Sequence, residues 1–489
     1  MLKKVLIANR GEIAVRIART CRAMGIATVA VHSEADRGAL HTRVADLDLE
    51  IAGYLDIDAL VSAARRAGAD AVHPGYGFLS QNGDFADAVA KAGITFIGPP
   101  GPVHRRMGDK KGSRRLMAAA GVPIVPGYDG DDQSDATLAA EAARIGWPVM
   151  IKPSRGGGGK GMRIVRGAGE FADALAGSRR EARGAFGDEV MVLERFVDRP
   201  RHVEVQVLAD THGAIVHLLE RECSIQRRHQ KVVEETPSPA LDARARETLC
   251  AAGVAAARAA EYVNAGTVEF LMDQSGAFYF LEMNTRLQVE HPVTESILGL
   301  DLVRLQIEVA AGRPLPITQR DVVGRGHALE CRLYAEDPWR DHLPSPGRVL
   351  HLSPPEGPGI RFDGGIATGS EVSTHYDPLL AKVITWGADR HESIERMADA
   401  LRRTAILGVT TNLALLQAIV AHPQFVSGAL HTGFIDDHLA SLPRPECPPP
   451  RILSAALAAS RRRASTTTAA GGQAARDPWA DVGAWRLGA

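Results

Sequence analysis

Short apolar runs alternate with amphipathic stretches through the first hundred residues. Val5-Leu6-Ile7-Ala8 reads as a buried strand, Glu12 to Met24 as an amphipathic helix, and Thr28-Val29-Ala30-Val31 as a second strand. The cycle repeats with helix Ile57 to Ala67, strand Ala71-Val72-His73, helix Asp84 to Ala92 and strand Thr95-Phe96-Ile97. Strand, helix and strand at this spacing predict right-handed βαβ units in a parallel sheet. Ligands of such sheets lie beyond the carboxyl ends of the strands. Those ends carry Asn9-Arg10-Gly11-Glu12 and His73-Pro74-Gly75-Tyr76-Gly77.

Further on the pattern changes. A basic helix runs from Lys110 to Ala120 and breaks at Gly121-Val122-Pro123, and a strand, Pro148 to Lys152, leads into the tract Ser154-Arg155-Gly156-Gly157-Gly158-Gly159-Lys160-Gly161-Met162. The β-rich segments Val190 to Val192, His202 to Leu208 and Ile215 to Leu219 predict an antiparallel sheet. A second mixed region covers Leu329 to Trp386 and ends in helix Glu392 to Thr404. The fold class is therefore α/β followed by α+β. After about Arg444, prolines, an Ala-rich stretch, Arg461-Arg462-Arg463 and Gly471-Gly472 read as linker and weakly ordered tail.

Composition narrows the function classes. The 489 residues predict about three domains, and a net charge of −1, from 57 Lys+Arg and 58 Asp+Glu, gives no field for nucleic acid or an anionic membrane. Glycine, 49 residues, exceeds its usual share of about 7%. Five scattered cysteines without a CxxC pair point to a reduced, intracellular chain. The apolar run at Val5 is too short for a signal sequence, and no stretch reaches the ~18 apolar residues of a membrane span. Cytoplasmic location is the expectation.

Four local clusters carry candidate chemistry. Consecutive glycines flanked by Lys152 and Lys160 can close backbone N–H groups on a phosphate, or simply form a flexible turn. Glu282 and Asn284 are two apart on one strand face, and Glu269 can oppose them across a hairpin turned at Gln274-Ser275-Gly276. That set suits a hard divalent cation, or else forms an exposed polar sheet face. Arg286, Gln288 and Glu290 share a face if their segment is extended, where they can hold a small oxyanion and take its proton or can form a solvated ion pair. The run Gln226 to Lys231 reads by itself as a solvated loop or a nucleic-acid-like patch, the latter disfavoured by the lack of interleaved aromatics and by the charge balance.

In order, Ala8-Asn9-Arg10-Gly11-Glu12-Ile13-Ala14, HPGYGFLS from His73, MGDK from Met107, IKPS and the glycine tract, RHVEVQ from Arg201, ECSIQRRHQKVVEE from Glu222 and EMNTRLQVEHPVTE from Glu282 resemble biotin carboxylase. This is the ATP-grasp subunit or domain of biotin-dependent acyl-CoA carboxylases, and the similarity runs from about residue 3 to about 440. The resemblance implies a preATP-grasp domain over 1–109, an ATP-grasp domain over 110–323 with a mobile lid at about 125–196, a biotin carboxylase C-terminal domain over 324–442, and a linker or tail over 443–489. It implies MgATP-dependent carboxylation of biotin by bicarbonate through carboxyphosphate.

By the same resemblance Lys110, Lys152, Gly158, Gly159, Met162, Glu194, Arg195, Phe196, Val197, His202, Gln226 and His229 would surround ATP. Glu269, Glu282 and Asn284 would hold Mg²⁺ or Mn²⁺, with two ions expected, and the first two would also face ATP. Lys231, Arg286, Gln288 and the Val289 backbone would hold bicarbonate, with Glu290 as its base. Arg332 would stabilise the biotin enolate, and Tyr76 would pack near the ureido end. The partners implied are a biotin carboxyl carrier protein or domain and a carboxyltransferase, in a homodimer or larger complex.

Some positions depart from the family. A loop between Asp46 and Tyr54 is shorter than usual, Gln81 stands where Glu is usual, Arg155 replaces a small residue, and Gly112 places a helix-weakening glycine after MGDK. Two other readings compete: a different ATP-grasp ligase, which gives no reason for Arg286, Gln288 and Glu290 or for Arg332, and a catalytically impaired homologue. Trp479 and Trp485 look like the linker of long α-chains of propionyl-, methylcrotonyl- or geranyl-CoA carboxylases. No Met-Lys-Met biotin-accepting segment occurs, so the biotin is expected on another chain or domain.

Overall fold

The structure is a computed structural model that describes residues 2–154 and 161–444. Met1–Leu442 forms one compact unit. Gly158 and Gly159, with most of the glycine tract, lie outside the described residues, as do the two tail tryptophans.

The N-terminal sheet is parallel and five-stranded, in the order Leu47–Glu50, Ala27–His32, Lys4–Ile7, Ala71–His73, Thr95–Phe96. Val5, Leu6 and Ile7 are almost wholly buried at its centre, packed between helices Gly11–Ala23 and Ile57–Ala67. The strand order reverses between Lys4–Ile7 and Ala71–His73, and the predicted loops meet at that point. Asn9 Nδ2 donates to the carbonyls of Pro74 and Tyr76 at 2.7 Å each. Gly75 makes this possible: its φ is +62°, and a Cβ there would lie 2.9 Å from Asn9 Nδ2. Leu47–Glu50, after the second strand, is an exposed edge strand that its hydrophobic pattern did not predict. The shortened loop that follows is anchored by Tyr54, whose hydroxyl donates to Asp36 Oδ2 at 2.7 Å.

A four-stranded antiparallel sheet, Gly127–Tyr128, Met191–Arg195, Val149–Pro153, Arg163–Val165, carries helices Asp135–Ile145 and Ala168–Phe186. It has its own core of Leu138, Val149, Ile151, Phe171, Leu175 and Leu193.

The central sheet has eight antiparallel strands, in the order Phe278–Asn284, Asn264–Met272, Arg201–Ala209, Ile215–Arg227, Gln230–Thr236, His327–Tyr334, Leu379–Gly387, Ile360–Gly364. Two expected regions are thus one sheet, joined where Val233 faces Cys331 and Thr236 faces Ala328. Val203, Val205 and Val207 point one way into a core with helix Ala243–Ala259, while Glu204 and Gln206 point the other way, equally buried.

The basic run is no solvated loop. Arg228 and His229, at φ +48° and +67°, form the two-residue turn of a hairpin in which Gln226 and Lys231 pair and are both buried. The segment 285–290 is likewise not an extended strand; it curls into a turn that enters helix His291–Leu298.

Candidate functional site

Antiparallel register places four charged side chains directly opposite one another across adjacent strands: Arg221, Glu204, Glu269 and Glu282. Like charges in such a row repel, so this face needs cations. Lys231, reaching over from the neighbouring hairpin, supplies one. Its ammonium donates to Glu204 Oε2 at 2.6 Å, Glu290 Oε1 at 2.7 Å and Glu269 Oε1 at 2.8 Å. All three of its protons are committed. Arg221, fully buried, supplies a second through Nε to Glu204 Oε1 at 2.5 Å, with Gln206, Thr267 and Thr294 taking its other protons.

Glu290 meets Arg332 on its far side, Nη2 to Oε2 at 2.9 Å, and Arg332 Nε lies 2.6 Å from Glu234 Oε1. Burial alone would raise the pKa of Glu290, but Lys231, Arg332 and Arg221 outweigh it and hold the group well below the usual carboxylate range. The same holds for Glu269, with Lys231 and His202 overcoming burial. Both are anionic acceptors at neutral pH.

The three residues expected to hold a metal lie together. Asn284 Nδ2 donates to Glu269 Oε1 at 2.7 Å and to Glu282 Oε1 at 3.4 Å. Glu282 is lined by protein yet open to solvent on one side, and burial together with Glu269 raises its pKa. A carboxylate held above its normal range beside another carboxylate gains from any cation that joins the two. The donor set therefore fits a hard divalent ion.

Beside it, Arg286 reaches Gln288 Oε1 at 2.5 Å and Asn284 Oδ1 at 3.1 Å, and Gln288 Nε2 donates to Glu269 Oε1 at 2.8 Å. Gln81 Oε1 accepts the Thr285 N–H at 2.9 Å, so an amide oxygen anchors this segment.

The residues expected around ATP come from both the small sheet and the central one. Lys152 Nζ donates to Glu194 Oε2, and Arg114 Nη1 reaches Oε1 at 3.1 Å. Lys110 opens helix Lys110–Ala119; burial lowers its pKa, Glu282 opposes this, Lys152 adds to it, and it makes no ion pair among the described residues. Lys152 is ion-paired with Glu194 and Lys110 feels both Glu282 and Glu194, so a polyphosphate bound here would meet two ammonium groups already partly balanced by carboxylates. Gln226 Nε2 donates to His202 Nδ1 at 2.7 Å, and His202 Nε2 lies 3.0 Å from Glu269 Oε2. Arg195 donates to the Tyr279 hydroxyl at 2.9 Å, the Phe196 N–H to the Pro148 carbonyl at 2.9 Å, and Val197 is buried. Met162 is half-buried just past the glycine tract, and His229 is exposed at its hairpin turn. Tyr76, half-buried, donates its hydroxyl to Glu12.

Comparison with known proteins agrees with this geometry. Residues 1–103 match the family model for the biotin carboxylase N-terminal domain, 109–318 the carbamoyl-phosphate synthase L chain ATP binding domain, and 330–437 the biotin carboxylase C-terminal domain. The chain belongs to the biotin carboxylase family. It is 50% identical to the biotin carboxylase of a Nostoc species over 440 residues, 89% of this chain and 98% of the relative. It is 51% identical to the mitochondrial methylcrotonoyl-CoA carboxylase subunit alpha of Rattus norvegicus over 444 residues, of which it spans 62%. Among solved structures, the biotin carboxylase domain dimer of Hydrogenobacter thermophilus 2-oxoglutarate carboxylase, in complex with MgADP, ADP and bicarbonate, superposes with a TM-score of 0.87 at 43% identity, covering 91% of this chain and all of that one. The fold is thus the three-domain biotin carboxylase fold, and the family makes this chain an ATP-dependent ligase.

Beyond the residues with an expected role, the site rests on Glu12, Glu204, Arg221, Glu234 and Lys382, of which Glu12, Glu204 and Glu234 lie in the quoted motifs without an assigned part. The local pattern hides them: polar and apolar residues alternate along the strand, as in Val203-Glu204-Val205-Gln206-Val207. That pattern ordinarily marks a strand with one solvated face, yet here Glu204 and Gln206 are as buried as the valines, because the other face is covered as well.

Proposed function

We propose that this chain carboxylates biotin, borne on a partner carrier protein or domain, from MgATP and bicarbonate, as the first half-reaction of an acyl-CoA carboxylase. The observation that carries the reading is the ammonium of Lys231 held among Glu204, Glu269 and Glu290, with Arg332 on the far oxygen of Glu290. Bicarbonate entering beside Arg286, Gln288 and the Val289 N–H would take one of the acceptor places on Lys231. Glu290, relieved of part of that ion pair, would then be free to accept the bicarbonate proton.

The deprotonated oxygen attacks the γ-phosphorus of ATP, forming a C–O–P link as the bond to ADP breaks. Carboxyphosphate divides into CO₂ and phosphate, the phosphate takes the biotin N1′ proton, and N1′ attacks CO₂. Lys110, Lys152, Gly158, Gly159, Met162, Glu194 to Val197, His202, Gln226 and His229 would surround ATP, and the small sheet with its glycine tract would act as a lid excluding water. Glu269, Glu282 and Asn284 would hold one or two Mg²⁺ or Mn²⁺ ions, which neutralise charge on the transferring phosphoryl oxygens. Arg332 would stabilise the biotin enolate, with Tyr76 beside it. A carboxyltransferase completes the proposed assembly, and a dimer is proposed by likeness to the Hydrogenobacter domain dimer.

The test is ADP release with and without bicarbonate and free biotin, together with direct detection of carboxybiotin. Bicarbonate- and biotin-dependent turnover is expected; its absence defeats the reading. Glu290→Gln should bind nucleotide normally and lose about 10²- to 10⁴-fold in turnover, because other groups bind ATP. Undiminished turnover would remove Glu290 as the base.

A further inference from the structure

The loop that precedes helix His291–Leu298 is held from behind by two residues that point away from the cleft. His291 is fully buried, and its Nδ1 lies 2.7 Å from the carbonyl oxygen of Gln288. A carbonyl accepts only, so that nitrogen carries the proton and the ring donates. Lys382, on strand Leu379–Gly387 and wholly buried, donates from Nζ to the carbonyl of Val289 at 2.6 Å and lies 3.2 Å from Glu12 Oε1. Glu12, in the first turn of Gly11–Ala23, also receives the Tyr76 hydroxyl.

A trans peptide is planar, so fixing its carbonyl fixes the opposed N–H. The Gln288 carbonyl shares a peptide with the Val289 N–H, and the Val289 carbonyl shares one with the Glu290 N–H. Holding both carbonyls from one side turns the Val289 N–H to the other and sets the backbone from which the Glu290 side chain departs. Lys382 is directly opposite Arg332 in register, and burial together with Lys382, Arg16 and Arg361 keeps His291 well below its ordinary pKa and neutral. Glu12 at 3.2 Å and the nearby Glu330 and Asp363 offset the cost of burying the Lys382 ammonium.

We propose that His291 and Lys382 are positioning residues that clamp the two peptide carbonyls on either side of the Val289–Glu290 step and so aim the Val289 N–H and the Glu290 carboxylate at bicarbonate. This rests on the reading that the loop binds bicarbonate. Neither residue touches substrate. The clamp spans the molecule, because Glu12 comes from the N-terminal sheet region and Lys382 from the far side of the central sheet.

Steady-state kinetics of the full chain with free biotin, varying bicarbonate and MgATP separately, tests it. His291→Leu and Lys382→Met should raise the KM for bicarbonate by about ten- to a hundredfold while that for MgATP moves less than about twofold. His291→Asn, whose amide N–H can replace Nδ1–H, should recover most of the loss. An unchanged bicarbonate KM, an equal rise for both substrates, or no advantage of Asn over Leu overturns the clamp. Should Lys382→Met fail to fold because Glu12 is left unpaired, Glu12→Gln with Lys382→Met removes both charges and is read the same way. A wild-type chain without bicarbonate-dependent turnover would overturn the proposed function and the clamp together, whereas an active wild type with indifferent variants overturns the clamp alone.

Discussion

Glu234 and Glu330 stand directly opposite each other in adjacent strands, both fully buried. Two carboxylates there cannot both ionise cheaply. Burial pushes Glu330 well above its ordinary range, with Lys382 opposing it and Glu234 adding to it. Burial also raises Glu234, from 4.5 to about 7, despite the opposing Arg332. Between those two pH values the unfolded chain has released a proton that the folded chain keeps, so rising pH favours unfolding, and the loss is complete above the folded pKa. Glu234→Gln cannot titrate. Its stability relative to wild type should therefore climb by on the order of 1–2 kcal/mol between pH 5 and pH 7.5, whatever fixed cost comes from Arg332. Calorimetric Tm values across that range check it, and a pH-independent difference would mean Glu234 is already ionised at pH 5. Residues of this kind were illegible beforehand. Glu282 and Asn284 declare themselves by spacing along one strand, whereas Glu234 gains its character from a strand almost a hundred positions away.

At the scale of elements, most boundaries were written locally. Helix Ile57–Ala67 starts on Asp56, whose side chain accepts from the Ala59 N–H, and ends on Gly68 in the left-handed region, so cap chemistry and periodicity agree. Gly112 is different: read alone it weakens helix Lys110–Ala119, yet a Cβ there would lie 2.7 Å from Oδ2 of Asp109, the residue that caps this helix on the Lys111 N–H. The glycine leaves room for the cap. Alanine in a helix is worth about 0.5–1 kcal/mol over glycine, and a cap about 1 kcal/mol, so the two nearly cancel. Gly112→Ala should leave stability unchanged or lower, but become stabilising by about 0.5–1 kcal/mol in an Asp109→Ala background. Denaturant midpoints of the four chains settle it; equal effects in both backgrounds would refute the coupling. The turn at Arg228-His229 escaped notice for a related reason: positive φ is expected of Gly or Asn, and here the paired strands impose it on Arg and His.

Over the whole molecule, the ATP-binding and C-terminal parts differ in sequence character but share their hydrogen bonding. Strand Gln230–Thr236 pairs with His327–Tyr334 at Val233–Cys331, Glu234–Glu330, Glu235–Leu329 and Thr236–Ala328. The side chains cross the same seam. His327 Nε2 and Arg390 Nε lie 2.7 and 2.6 Å from Glu235, and Arg332 reaches Glu234 and Glu290. A chain ending near residue 323 would lose His327, Arg332 and Arg390 and leave Glu234 and Glu235 without these partners. Stripping one partner from a buried pair costs about 3–5 kcal/mol, and two such losses rival the ~5–15 kcal/mol that holds a typical protein folded. The two parts should therefore open together. In native-state hydrogen exchange, ladder amides in 233–236 and 328–331 should report one common free energy of opening and the same denaturant dependence. If the amides of 328–331 instead exchanged through a cheaper opening that left 233–236 protected, the C-terminal part would be a separate folding unit merely docked on the first. The buried charges argue against that: Glu290 and Lys231 lie on one side of the seam and Arg332 on the other, so an opening there would break the ion pair on which the proposed chemistry depends.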